Sequence, residues 1–211
     1  MPSELVILAH GLWMSGLELG VLRHRLEKEH GFSTIQYSYA SVTESMADHV
    51  CGLRELAQKQ TCERLHLVGH SMGGLVIYNL LESTDDLIPG RAVLMGAPVQ
   101  GSCVAAGIAR WPLGRIALGC ARESIAPEAP RSWKGNREIG VIAGSVSIGL
   151  GKLFADVTPQ SDGTVLVEET QLNGAADHIV MPVTHSSMVF SASVAEQIAA
   201  FLRKGKFERG V

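Results

Sequence analysis

The feature that most constrains this chain's fold is an alternation. Short apolar, β-branched runs recur at 4–9 (ELVILA), 33–38 (STIQYS), 64–69 (RLHLVG), 91–96 (RAVLMG), 138–143 (EIGVIA) and 178–184 (HIVMPVT). Amphipathic stretches at 17–29, 44–59 and 72–83 separate the first four runs, and another at 187–203 follows the last. Strands alternating with helices make a mostly parallel sheet, because each crossover returns the chain to the same edge. In the second helical stretch Met46, Val50, Leu53 and Leu56 or Ala57 share one face while Glu44, Asp48, Arg54 and Lys59 lie elsewhere, as a helix covering one side of a sheet requires. The expected class is therefore α/β, a twisted parallel sheet of about six or seven strands flanked by helices.

One segment breaks the rhythm. From Pro98 to Arg137 the chain carries four prolines and only a weakly helical core, 102–119. Connections this long are commonly functional. Trp111, Leu113, Ile116 and Leu118 give it enough apolar content for a small packed cap, inserted at about 101–134 into a single domain spanning 1–211. No internal repeat or low-complexity tract points to a second folding unit.

Composition removes several classes. With 46% hydrophobic and 18% charged residues the chain is too apolar for disorder, and it has no apolar run of membrane-spanning length. Eighteen Lys and Arg against twenty-one Asp and Glu, net −3, with neither sign in long runs, supply no electrostatic footprint for nucleic acid or for an anionic membrane surface. The basic cluster Arg203, Lys204, Lys206 and Arg209 reads as a solvated helix end and tail. The four cysteines form no CxxC pair and have no histidine at finger spacing, so free thiols are expected and no metal site is implied. No basic segment precedes the apolar residues 5–9, which read as a first strand; a cytoplasmic location is expected.

The chemistry is carried by GHSMGG at 69–74, between the strand RLHLV and the helical LVIYNLLES. Gly69, Ser71 and Gly73 satisfy G-x-S-x-G in the strand-to-helix context that pattern needs. So tight a turn forces the serine backbone into strain, and residues without side chains on either side let strand and helix approach. Ser71 is the candidate nucleophile. A serine hydroxyl needs a histidine base, itself oriented by a carboxylate. Asp162, in the turn-type SDGTV at 161–165, and His185, in VTHSSM at 183–188, both fall where strand ends open into a crevice. Their order, Ser71, Asp162, His185, is that of this elbow type. Among rival carboxylates, Glu168 and Glu169 read as solvated, Asp177 lies at the wrong end of the last strand, and Asp156 is the serious competitor, lacking the Asp-Gly turn.

An oxyanion hole needs two N–H groups. Met72 supplies one from the helix start, and Leu12 the other, after the strand that ends in His10-Gly11. His10 itself is expected to fix that loop through a hydrogen bond rather than act as a base. His178 is expected to be structural or exposed, and His24, His30, His49 and His66 to be packed or on the surface.

Together, LAHGLW at 8–13, GHSMGG at 69–74, GAPVQGS at 96–102, SDGTV at 161–165 and THSSM at 184–188 resemble the α/β-hydrolase superfamily, particularly its small bacterial lipase-like and esterase-like members. The resemblance spans nearly the whole chain. It implies hydrolysis of carboxylic esters by a triad of Ser71, Asp162 and His185, with Leu12 and Met72 as oxyanion donors and no cofactor. GAPVQGS is similar to the loop that leads into the cap in such proteins. The short cap, with no signal peptide, calcium site or disulfide evident, leads to the expectation of an intracellular esterase acting on soluble esters of short or medium acyl chain rather than an interfacial lipase. Leu12, Trp13, Met72, Trp111, Leu113, Met188 and Val189 are expected to form the apolar acyl pocket. The same triad serves thioesterases and acyltransferases, and a silent binding protein could use the same scaffold. The expected partner is a small ester or acyl substrate; the sequence leaves the oligomeric state open.

Overall fold

Alternate residues of the first strand enter different layers. In β1 (Glu4–Ala9) Leu5, Ile7 and Ala9 pack into one apolar cluster, Val6 and Leu8 into another. That division follows from the two-residue period of a strand buried on both faces. The computed structural model describes residues 3–122, 130–155 and 160–209. Its six strands, β1, β2 (Ser33–Tyr37), β3 (Arg64–His70), β4 (Ala92–Met95), β5 (Ile139–Gly144) and β6 (Asp177–Met181), form one sheet in the order β2-β1-β3-β4-β5-β6. Every pairing is parallel.

Helices cover both faces. On one lie α2 (Met46–Gln58) and α3 (Met72–Ser83), which bury Leu53, Ala57, Leu75 and Ile77 against Ile7, Leu67 and Leu94. On the other lie α1 (Gly20–Lys28) and the C-terminal helix, α6 (Ala192–Lys204), which bury Leu22, Leu26, Ile198 and Phe201 against Val6, Val68 and Ile142. Each such side chain contributes about 1.5–3 kcal/mol by leaving water. Ser45 starts α2 with a capping box, its hydroxyl accepting from Asp48 N–H while Asp48 accepts from Ser45 N–H, which satisfies two amides the helix cannot.

Three elements depart from their sequence reading. The last strand stops at Met181 rather than 184, because Pro182 has no N–H to donate to a ladder. The run 187–203 is not one helix: a 3₁₀ turn, Ser187–Phe190, precedes α6, and Ser191 between them is extended so that its side chain can cap Val194 N–H. Residues 17–29 likewise divide into a 3₁₀ turn at Leu17–Leu19 and α1.

The cap follows β4. Its helices include α4 (Cys103–Ala109) and α5 (Pro112–Leu118), each seven residues long. Ser102 caps the first, and Pro112, which has no N–H to lose, opens the second. The base of the insertion is pinned by Gln100, whose amide donates to Arg131 O and Gln171 O and accepts from Arg131 N–H. No helix among the described residues is long and apolar enough to cross a membrane.

Candidate active site

Parallel pairing brings the carboxyl ends of the strands to one edge. Ala9 lies level with Gly69, His70 with Met95, and Gly144 with Met181. The loops carrying Leu12, Ser71, Asp162 and His185 all leave from that edge, where open parallel sheets bind ligands.

Ser71 sits between β3 and α3 with φ 54° and ψ −121°. Only one other non-glycine among the described residues, Trp13, has positive φ. Such a conformation costs on the order of 1–3 kcal/mol and persists because its surroundings fix it. Here Ser71 N–H donates to Met95 O at 2.8 Å, tying the elbow to β4. A side chain on Gly69 would lie 2.5 Å from the backbone of Gly73 and Gly74, and one on Gly73 would strike the carbonyls of Ala9 and His10. These two glycines therefore allow the strand and the helix to meet at the distance the turn requires.

Asp162 is buried in a tight turn. Its Oδ1 accepts from Thr164 N–H at 2.9 Å and Val165 N–H at 2.7 Å, and Gly163 takes φ 93° to close the turn. The other oxygen, Oδ2, lies 2.7 Å from His185 Nδ1, and His185 N–H donates to Asp162 O at 2.8 Å. With a carboxylate facing Nδ1, the proton sits there and Nε2 keeps its lone pair. The rival Asp156 lies outside the described residues. Asp177 begins β6 at the opposite edge and is occupied by Arg209.

Two features of the site had no clear sequence signal. Gly96, at the end of β4, has φ 54°, and a Cβ there would lie 3.1 Å from His185 Nδ1 and 3.2 Å from Asp162 Oδ2. Its bare backbone makes room for the pair; the motif GAPVQGS contained it without revealing that. His70, the variable residue inside G-x-S-x-G, is fully buried; its Nε2–H donates to His185 O at 3.0 Å and its ring packs 4.7 Å from that of His185. Burial, helped by the neighbouring His185, pushes its pKa down to about 3, so it stays neutral at ordinary pH.

At the end of β1, His10 is buried, stacked on Tyr39 at 4.3 Å. Its Nδ1–H donates to Gly11 O at 2.8 Å and its Nε2 accepts from Tyr39 N–H. Both nitrogens serve the loop, as expected. The following N–H of Leu12, and that of Met72 at the start of α3, have no acceptor among the described residues. Trp13 N–H donates to Ser41 Oγ, and its indole N–H to Ala117 O of α5 at 2.8 Å, so this loop is hydrogen-bonded to the cap.

Ser71 and His185 open into a cavity of about 790 Å³ between the sheet edge and the cap. Leu12, Trp13, Met72, Trp111 and Leu113 line it, with Leu75, Val104 and Ile108. Met188 and Val189 do not. They are fully buried among Leu19, Leu22 and Val194 on the α1/α6 side, because the 3₁₀ turn after His185 directs them beneath the sheet edge. Glu169 also differs from its expected solvated role: it is buried, accepting from Cys103 N–H at the start of α4 and from Leu166 N–H. Glu168 beside it is exposed. His178 is half-buried against Thr170, and His49 and His66 are buried. The four cysteines are free thiols.

A family model described as "Alpha/beta hydrolase family" matches residues 6–199. The chain belongs to the α/β hydrolase family. Many solved structures of this hydrolase fold resemble it. Against the Bacillus licheniformis lipase BlEst2 in propeptide form the TM-score is 0.77 at 16% identity, covering 100% of this chain and 53% of that one. This α/β hydrolase thus spans about half the length of that relative. A metagenomic carboxyl esterase gives 0.69 at 17% identity over 89% of this chain and 66% of the other. The Bacillus subtilis carboxylesterase CesB gives 0.56 at 14% identity, with 99% and 85% covered. A search of curated proteins finds no significant match.

Proposed function

We propose that this hydrolase cleaves carboxylic esters of short to medium acyl chain through Ser71, His185 and Asp162. The observation that carries the reading is the Asp162–His185 pair, bonded through both side chain and backbone, at the cavity that also receives the strained Ser71. His185 Nε2 takes the Ser71 proton as Oγ attacks the acyl carbonyl, and the imidazolium is stabilised by Asp162. Charge building on the carbonyl oxygen is met by the N–H groups of Leu12 and Met72. When the C–O bond breaks, His185 returns the proton to the leaving alkoxide, and the acyl group stays on Ser71. Water then loses a proton to His185 and attacks the acyl-enzyme; as the bond to Oγ breaks, His185 returns that proton to Oγ, releasing the acid and restoring both residues.

The apolar cavity supports an acyl chain as the group bound, with Leu12, Trp13, Met72, Trp111 and Leu113 around it. The test is hydrolysis of p-nitrophenyl esters from acetyl to palmitoyl by wild type and Ser71→Ala. A short- or medium-chain optimum that falls on the order of 10³ or more in kcat in the variant is the expected result. Undiminished hydrolysis by Ser71→Ala would remove Ser71 from the role. Absence of hydrolysis at every length would overturn the esterase reading and favour acyl transfer, a thioester substrate or a silent scaffold.

A further inference from the structure

The outer rim of the cavity is more apolar and more exposed than a site for small soluble esters requires. Trp111 is 66% exposed and Leu113 79%, although both line the cavity, as do the exposed Trp13, Ile148 and Phe154. Beside them Ile116 (74%) and Leu153 (73%) face solvent without lining it. Contiguous exposed apolar surface of this kind marks an interaction site.

Charge indicates what covers it. The chain as a whole is acidic, 18 basic against 21 acidic residues. Yet 102–122 and 145–155 carry Arg110, Arg115, Arg122 and Lys152 and no Asp or Glu. The nearest acids in sequence, Glu123 and Asp156, lie outside the described residues. All three arginines are exposed. Exposed Trp with aliphatic side chains, bordered by arginine, is the composition that settles at the boundary between lipid headgroups and acyl chains. A basic border also draws the face toward anionic lipid.

We infer that the cap rim, α4, α5 and the segment 148–154, docks on the surface of an anionic phospholipid bilayer, with the cavity mouth toward the lipid. An acyl chain would then enter from the surface rather than from solution. This departs from the soluble substrates and the absence of an anionic surface expected from the sequence, because the exposed rim and its local charge differ from the chain as a whole, and it is measured without turnover.

The test is co-sedimentation of the full chain with vesicles of phosphatidylcholine alone and with one third phosphatidylglycerol, at low and high salt. Tryptophan emission is followed in parallel. Expected are pelleting with the anionic vesicles, a blue shift from Trp13 and Trp111, and weakening by salt. Ile116→Glu combined with Leu153→Glu should lower vesicle affinity at least tenfold. Arg110→Gln combined with Arg122→Gln should lower it about fivefold per arginine on anionic vesicles only. Unchanged thermal melting and unchanged hydrolysis of a soluble p-nitrophenyl ester would show that these variants remain folded. No pelleting with anionic vesicles, or equal pelleting of the Ile116/Leu153 variant, would overturn the inference. So would a concentration-dependent dimer that the same variant abolishes, which would assign the face to a second copy.

Discussion

The elbow and the cap, on opposite sides of one cavity, are built by different means. Around Ser71 the constraints are backbone ones: glycines at 69, 73 and 96 that side chains would crowd, an amide tied to β4, and an aspartate held by two peptide N–H groups. Among the described residues the cap holds the short helices α4 and α5, whose Trp111, Leu113 and Ile116 face solvent while Val104 and Leu118 are buried, and side-chain as well as backbone hydrogen bonds attach it to the body. Chemistry that depends on fractions of an ångström rests on the rigid side. On the proposed function, selection of the acyl group would fall to the cap, which lines the other side of the cavity. On this comparison, changes at the elbow should act on kcat, and changes at the cap on KM.

The largest effect is expected at the pair itself. Asp162→Asn would retain the turn but favour the wrong imidazole tautomer, lowering kcat up to about 10⁴-fold with little change in melting temperature. Steady-state kinetics on a p-nitrophenyl ester would measure it, and an effect confined to KM would break the comparison. Next comes Gly96→Ala. A residue with a side chain at φ 54° costs about 1–2 kcal/mol, and the new methyl would press on His185 and Asp162. A fall of about 10²-fold in kcat is expected; a near-wild-type rate would show that the pair tolerates displacement. On the cap side, Glu169→Ala leaves Cys103 N–H and Leu166 N–H without their acceptor, a loss of about 1–3 kcal/mol. It should raise KM several-fold while kcat changes little.

The smallest effect is one of pH. His70 is neutral when folded, with a pKa lowered to about 3, whereas the unfolded chain binds that proton near 6.5. Below pH 6.5 the unfolded state therefore holds more protons, and stability falls with acidification toward pH 3, on the order of 1 kcal/mol per pH unit. His70→Asn should lose that part of the slope. Melting temperatures of both proteins between pH 7 and pH 5 would show it, and parallel curves would refute it.

The sheet was legible because both of its faces are buried, which makes each strand a dense apolar run. That the loops of Ser71, Asp162 and His185 would leave from one edge of the sheet was legible because glycine and turn chemistry identify strand ends, and parallel strands bring those ends together. What escaped depended on where side chains go after the chain turns. Met188 and Val189 follow His185 by only a few residues, yet a 3₁₀ turn sends them into the core. Glu168 and Glu169 read alike, and only the arrival of α4 from a distant segment distinguishes them. Gly96 was hidden for a similar reason: its neighbours, Asp162 and His185, lie far along the chain.

The attachments of the cap have a consequence for how such a protein can diversify. Trp13 donates to the carbonyl of Ala117, Cys120 N–H to that of Val42, and Arg131 Nη1 to that of Val99. Each acceptor is a peptide oxygen, which every amino acid supplies. Residues 117 and 42, neither of them fully buried, can thus be exchanged while their oxygens stay in place, so drift at these positions need not loosen the cap's hold on the body.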